Sequence, residues 1–134
     1  MIEVLLASWM CIVLGLVATF SAMPGSAQAQ GTVEGKKIEG RWVRPDGGYI
    51  LQLENIKEDG SVTATYFNPR SIKVSRAEVR HKEGTNTVFV ELRDVNYPGS
   101  TYTLDYDSIV DRLKGTYFQA ATNQNFEVEF RRTQ

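Results

Sequence analysis

The chain has 134 residues, 42% of them hydrophobic and 23% charged, with 15 basic side chains against 16 acidic ones. That length suits one domain and is short for two, and the balanced charge lacks the basic excess that nucleic-acid binding needs, so no nucleic-acid partner is expected. One cysteine and one histidine rule out an internal disulfide and leave little material for a Ser-His-Asp, Cys-His or zinc site.

The N-terminal stretch differs from the rest. Val4–Met23, VLLASWMCIVLGLVATFSAM, is uncharged and mostly apolar, and Ala27-Gln28-Ala29 behind it has the small-x-small form cut by signal peptidase. Residues 1–29 therefore read as a secretory signal helix cleaved after Ala29, which sends the folded part to the periplasm or outside the cell. The leader MIEV carries Glu3 and no Lys or Arg, and the apolar run approaches the ~20 residues that span a bilayer. An uncleaved anchor is thus the alternative, and the only one that implies membrane contact. Cleavage removes Trp9, Cys11 and Glu3, leaving 15 acidic residues (16 less Glu3) against 15 basic ones. The ~105 residues that remain can build a core without disulfide staples.

Residues 30–38 read as a polar lead and 39–134 as the folded domain. From there the apolar residues alternate: Leu51 and Leu53; Val62, Ala64 and Tyr66; Val88, Val90 and Leu92; Tyr102, Leu104 and Tyr106; Leu113, Gly115 and Tyr117; Phe126, Val128 and Phe130. A period of two with polar residues between marks strands wet on one face and buried on the other. Turn residues punctuate the runs: Pro45-Asp46-Gly47-Gly48, Lys57-Glu58-Asp59-Gly60, Glu83-Gly84, Tyr97-Pro98-Gly99-Ser100, Asp107-Ser108 and Thr122-Asn123. Pro98-Gly99 suits a type II turn, so the chain is expected to reverse there. Within 69–82 the phase breaks, with Ile72 and Val74 on one parity and Ala77, Val79 and His81 on the other; a bulge or tight bend near Ser75-Arg76 reconciles them and gives two short strands instead of one. The prediction is an all-β domain, an antiparallel up-and-down barrel of about eight strands. Such a barrel is wide enough for its own side chains or one small ligand.

Gly40-Arg41-Trp42-Val43 opens the first strand and FEVEFRR (126–132) closes the last. A Gly-x-Trp start with a basic residue on the final strand resembles the calycins: lipocalins, fatty-acid-binding proteins and avidins. The resemblance implies that Trp42 plugs one barrel end with Arg131 or Arg132 packed across it, a cation–π contact. Asp59–Tyr66 also resembles the avidin pattern of Asp-Gly before a small-residue strand, but only Trp42 follows the signal segment, where avidins set several tryptophans around biotin. The run from ELRDVNYPGS to DRLKGTYFQA is similar to a group of small exported bacterial proteins to which no activity is assigned.

Candidate chemistry is sparse. His81 ends a charged strand beside Lys82, where a solvated side chain is the default. Asp94, Asn96, Asp105, Asp107 and Asp111 lack the spacing of a calcium loop. Glu54, Glu91, Asp105, Glu127 and Glu129 fall on the outward parity, away from any cleft that could host paired acids. No enzyme, cofactor or metal is therefore expected. The inward parity is richer: Tyr49, Tyr66, Asn68, Tyr102, Tyr106, Tyr117 and Gln119 share the face of Leu51 and Leu53. Buried tyrosine hydroxyls need partners, and an aromatic wall with convergent amides is what a small-ligand pocket offers. A simply filled barrel with the tyrosines near its mouths is the other reading. Phe67, Phe89 and Phe118 lie on the opposite parity and suggest an interface, for instance a homodimer. The expected function is an exported, non-catalytic binder of a small amphipathic or aromatic molecule. The alternative is an interaction or inhibitor module of the cell envelope using the outward phenylalanines and the 96–100 loop.

Overall fold

A computed structural model of the chain describes residues 34–134. The signal segment, and with it the choice between cleavage and anchor, lies outside the described residues. A short helix, α1 (residues 34–38), precedes nine strands. These are β1 (Gly40–Arg44), β2 (Tyr49–Glu54), β3 (Thr63–Asn68), β4 (Arg70–Ile72), β5 (Val74–Lys82), β6 (Thr85–Asp94), β7 (Tyr97–Asp107), β8 (Arg112–Gln119) and β9 (Gln124–Arg132). All pairings are antiparallel, in one sheet ordered β4-β3-β2-β1-β9-β8-β7-β6-β5. The sheet curls into a nearly closed barrel. There are nine strands rather than about eight, and the segment 69–82 forms two of them, as expected, with the break at Lys73 rather than at Ser75-Arg76. Residues 34–38, expected as polar lead, instead bury Ile38 against the barrel end.

One residue explains how the ends of the sheet meet. Tyr66 of β3 faces Ile72, and Ser61 faces Glu78. Five residues on one side therefore span six on the other. On the far side Val74 pairs Leu92 while Arg76 pairs Glu91, which makes Ser75 the surplus residue against β6. This bulge restores the inward parity of Val79. Ser75 turns its hydroxyl outward to Glu91, donating to the carboxylate at 2.7 Å. Between the two paired ends the β3–β5 seam is packed by the half-buried Val62, Ala64, Val74 and Ala77.

The hairpin joining β6 to β7 departs from the sequence reading. The chain reverses at Val95-Asn96, with Asp94 paired to Tyr97 and Asn96 at φ 68°, a left-handed conformation asparagine tolerates. Pro98-Gly99 lies inside β7, where the register with β6 slips between Leu92 and Arg93. A proline without an N–H and a flexible glycine satisfy a bulge as readily as a turn.

The interior follows the alternation. Val88, Val90 and Leu92 are fully buried on β6, as are Leu51 and Leu53 on β2, Leu104 on β7, Leu113 on β8 and Phe130 on β9. They fill the barrel's middle. One end is stoppered by Trp42, which is fully buried and donates its indole N–H to the Ile38 carbonyl at 3.0 Å. The Arg132 guanidinium lies 4.2 Å from the Trp42 ring centroid. It donates twice to Asp111, at 2.8 and 3.0 Å, and also to the carbonyls of Glu39 and Lys37, at 2.7 and 2.6 Å. Gly40 has φ 137°, and a Cβ there would sit 2.6 Å from that guanidinium. The Gly-x-Trp spacing therefore makes room for the arginine as well as placing the indole. Arg131 points out and pairs Glu129 at 3.2 Å, so of the two candidate arginines Arg132 alone covers the plug.

Two outcomes test this end. Trp42→Ala should cost about 3–5 kcal/mol as a large core truncation, read by chemical denaturation; an unchanged midpoint would mean that the indole does not hold the barrel. The Arg132 hydrogen bonds hold the Asp111 carboxyl below the usual carboxylate range. The unfolded chain therefore takes up this proton first, so the contribution of Asp111 is present above pH ~4 and is lost as pH falls. Asp111→Asn should flatten the acid side of the stability–pH curve; an acid limb as steep as wild type would assign that loss to other carboxylates.

Candidate functional site

The barrel end opposite the plug is open. A cavity of about 470 Å³ lies there, within the range of small-molecule sites. Six of the seven inward candidates line it: Tyr49, Tyr66, Asn68, Tyr102, Tyr117 and Gln119. Tyr106 does not. It packs edge-on against Trp42 at 6.1 Å and donates to Asp111 at 3.0 Å, which places it with the plug.

The walls come from strand ends. β1 and β2 bring Arg44 and Tyr49, β3 brings Tyr66 and Asn68, and the β6–β7 turn brings Asn96 and Tyr97. β7, β8 and β9 add Tyr102, Tyr117 and Phe126, while Arg70 and Ile72 come from β4. The rings form a connected stack. Tyr66 and Tyr102 lie 5.5 Å apart, Tyr102 and Tyr117 stack at 4.6 Å, and Tyr66 meets Tyr97 edge-on at 6.3 Å.

Arg44 sits at the centre of this arrangement, and the sequence reading missed it. It is only 8% exposed. Its guanidinium lies 4.5 Å from the Tyr49 ring centroid and donates to the Tyr102 hydroxyl at 2.9 Å. Two further bonds, at 2.8 and 2.6 Å, go to the carboxylate of Asp46 in the β1–β2 turn. Tyr102 is in turn hydrogen-bonded to Tyr66 at 2.9 Å. A second pair, Asn68 donating to the Tyr97 hydroxyl at 2.5 Å, joins β3 to β7. The missed signal is parity: Arg44 stands two residues after Trp42 on one strand face, so if one points inward so does the other. Phe126 shares the parity of Val128 and Phe130 in the same way.

The electrostatics follow from burial. Removal from water pushes the Tyr66 hydroxyl far above the ordinary phenol range and the Tyr102 hydroxyl up to about 12, the Arg44 charge holding Tyr102 lower than burial alone would. Burial opposes the Arg44 charge, but the bonds to Asp46 and Tyr102 outweigh it and raise its pKa. The same pairing lowers Asp46. The Arg44 cation thus stands beside the neutral Tyr66 and Tyr102 hydroxyls across ordinary pH.

His81 stands away from the cavity, its Nδ1 2.9 Å from Asn86 Oδ1. The aspartates considered for calcium are dispersed over other tasks: Asp94 accepts the Lys73 and Val95 N–H groups, Asp107 those of Ile109 and Val110, and Asp105 the Thr87 hydroxyl. Among the described residues no three His, Cys, Asp or Glu side chains gather where a metal could bind. The outward phenylalanines are half-buried, with Arg41 5.7 Å from the Phe67 centroid and Arg76 5.4 Å from that of Phe89. No protein-family model matches the chain, and no curated protein or solved structure is significantly similar to it.

A tyrosine titration tests the buried hydroxyls. With folded pKa values raised above the unfolded ~10, Tyr66 and Tyr102 stabilise the fold below pH 10, and that contribution is lost as pH rises toward 12. Absorbance at 295 nm should show these two of the six tyrosines ionising only as circular dichroism reports unfolding. Ionisation of all six near pH 10 in an intact fold would place these hydroxyls in water.

Proposed function

We propose that this is an exported, non-catalytic binding protein whose open barrel end takes up a small amphipathic or aromatic molecule. One observation carries the reading: the ~470 Å³ cavity, walled by five tyrosines and the Asn68 and Gln119 amides, at the end opposite a stoppered one. Ring faces supply flat apolar contact at low entropic cost, and amides and phenols fix orientation. The lining supports binding over catalysis, since its thirteen residues include no Ser, Cys, His, Asp or Glu to serve as nucleophile or base. Export rests on the uncharged run Val4–Met23 and the Ala27-Gln28-Ala29 cut site. The Gly40-x-Trp42 start with Arg132 across the indole supports grouping the barrel with the calycins, whose interiors hold small ligands.

The interaction-module reading draws less support. Arginines cover two of the three outward phenylalanines, and Asn96 of the 96–100 loop faces the cavity.

Native mass spectrometry of the protein purified from its own cell envelope should show one retained small molecule per chain. Tyr117→Ala, which removes a wall and leaves the plug untouched, should lose it. A wild-type chain that carries no adduct, and whose cavity resonances do not shift with any member of a fragment library, would overturn the proposal.

A further inference from the structure

The cavity's hydrogen-bond inventory specifies more than flat and amphipathic. Arg44 carries five N–H bonds. Two go to Asp46 and one to Tyr102, so two have no acceptor among the described residues. Tyr66 and Tyr102 own two O–H protons and share one bond, while the Tyr102 oxygen also accepts from Arg44. Whichever phenol donates to the other, one O–H remains without an acceptor. Tyr97 accepts from Asn68, which leaves its own proton unused as well. Donors on Arg44, on one of Tyr66 and Tyr102, and on Tyr97 therefore remain unspent at the cavity floor.

Charge agrees. Two arginines line the cavity and no carboxylate does, their acidic partners standing outside the lining: Asp46 on Arg44, and Asp94 on Arg70 at 3.5 Å. Asp46 holds the outer edge of Arg44 with 59% of its side chain exposed, outside the lining. It fixes the guanidinium so that the Nη1 edge faces the phenols. Toward the mouth the chemistry reverses: Val95 is 70% exposed and Phe126 42% exposed, two of the four large apolar residues left in water among those described, and both belong to the lining. Exposed apolar groups flanking a pocket mark where a ligand's greasy part rests.

We infer that the occupant is a small carboxylate with an apolar body, its carboxylate seated on the Arg44–Tyr102–Tyr66 chain and its body against Val95 and Phe126. The inference rests on the binding reading above. A carboxylate brings acceptors only, which matches a floor of unspent donors, and charge-assisted bonds to a guanidinium and phenols are the strong kind. A neutral amide spends two of its positions as donors, and an ammonium meets two arginines.

The test uses the full chain purified from the cell envelope and three probes of one shape: 4-phenylbutyrate, 4-phenylbutyramide and 4-phenylbutylamine. Titrated by NMR, the acid should move the Arg44, Tyr66 and Tyr102 resonances and bind about tenfold or more tightly than the amide, the amine being weakest. Added salt should weaken the acid alone. Arg44→Gln should abolish the preference. Because Arg44 is buried, Tyr66→Phe is the second variant; it keeps the ring, removes one donor, and should weaken the acid several-fold while leaving the amide nearly unchanged. Equal binding of acid and amide at the cavity would overturn the carboxylate inference and leave the binding function standing. If no probe moves a cavity resonance, the carboxylate inference falls, and the adduct and fragment measurements decide the binding reading.

Discussion

Arg132 closes the molecule. The first and last strands register two residue pairs, Trp42 with Arg132 and Val43 with Arg131, extended by the Thr133 N–H donating to the Arg41 carbonyl at 2.9 Å, a short ladder for closing a barrel. The guanidinium makes up the difference with four hydrogen bonds to Asp111, Glu39 and Lys37, and a face laid on Trp42. It thereby ties β9, the β7–β8 turn, the C-terminal end of α1 and β1 at one point. Arginine suits this task because its planar fork satisfies a carboxylate and two carbonyls while its face stacks on indole. Gly40 is the complement, since any side chain there would occupy the guanidinium's place.

Fixing β1 at one end fixes the other. Trp42 and Arg44 alternate along a strand of five residues, so the clamp that seats the indole also sets the depth of the buried cation. The barrel is polarised along its axis as a result: a stopper held by charge, an aliphatic middle, and a donor-lined opening. Under the proposed reading, stability and binding draw on different ends. Residues that carry the fold, such as Tyr106 with its bond to Asp111, need not be residues that meet a guest.

Much of this could be read from the residues. The alternation of Leu51 and Leu53, of Val88, Val90 and Leu92, and of Tyr102 and Leu104 gave the inside of the sheet directly, because each strand is wet on one face only. Ser75 was within reach for the same reason: a parity flip between Val74 and Ala77 needs one surplus residue. What parity cannot supply is height along the axis, so Tyr106 was grouped with Tyr102 although the two serve opposite ends. Arg44 escaped because a basic residue beside a turn reads as solvated, whereas here aromatic faces and Asp46 compensate its burial. Tyr97 escaped because Pro98-Gly99 signals a reversal that the chain makes three residues earlier, at Val95-Asn96. The approach of β5 to the β3 side, made through the lone Ser61–Glu78 bridge, depends on contacts distant in sequence, which local patterns do not encode.

The seam beside Ser75 has a mechanical meaning. From β6 to β9, and from β1 to β3, neighbouring strands are laced by longer ladders, and widening them would break backbone bonds in series. Between the Tyr66–Ile72 pair and the Ser61–Glu78 bridge the lacing is interrupted, and Val62, Ala64, Val74 and Ala77 hold by contact alone. Sliding of small apolar groups costs far less than parting hydrogen bonds. The circumference is therefore least laced beside the open rim, while the stoppered base is tied by the four Arg132 hydrogen bonds.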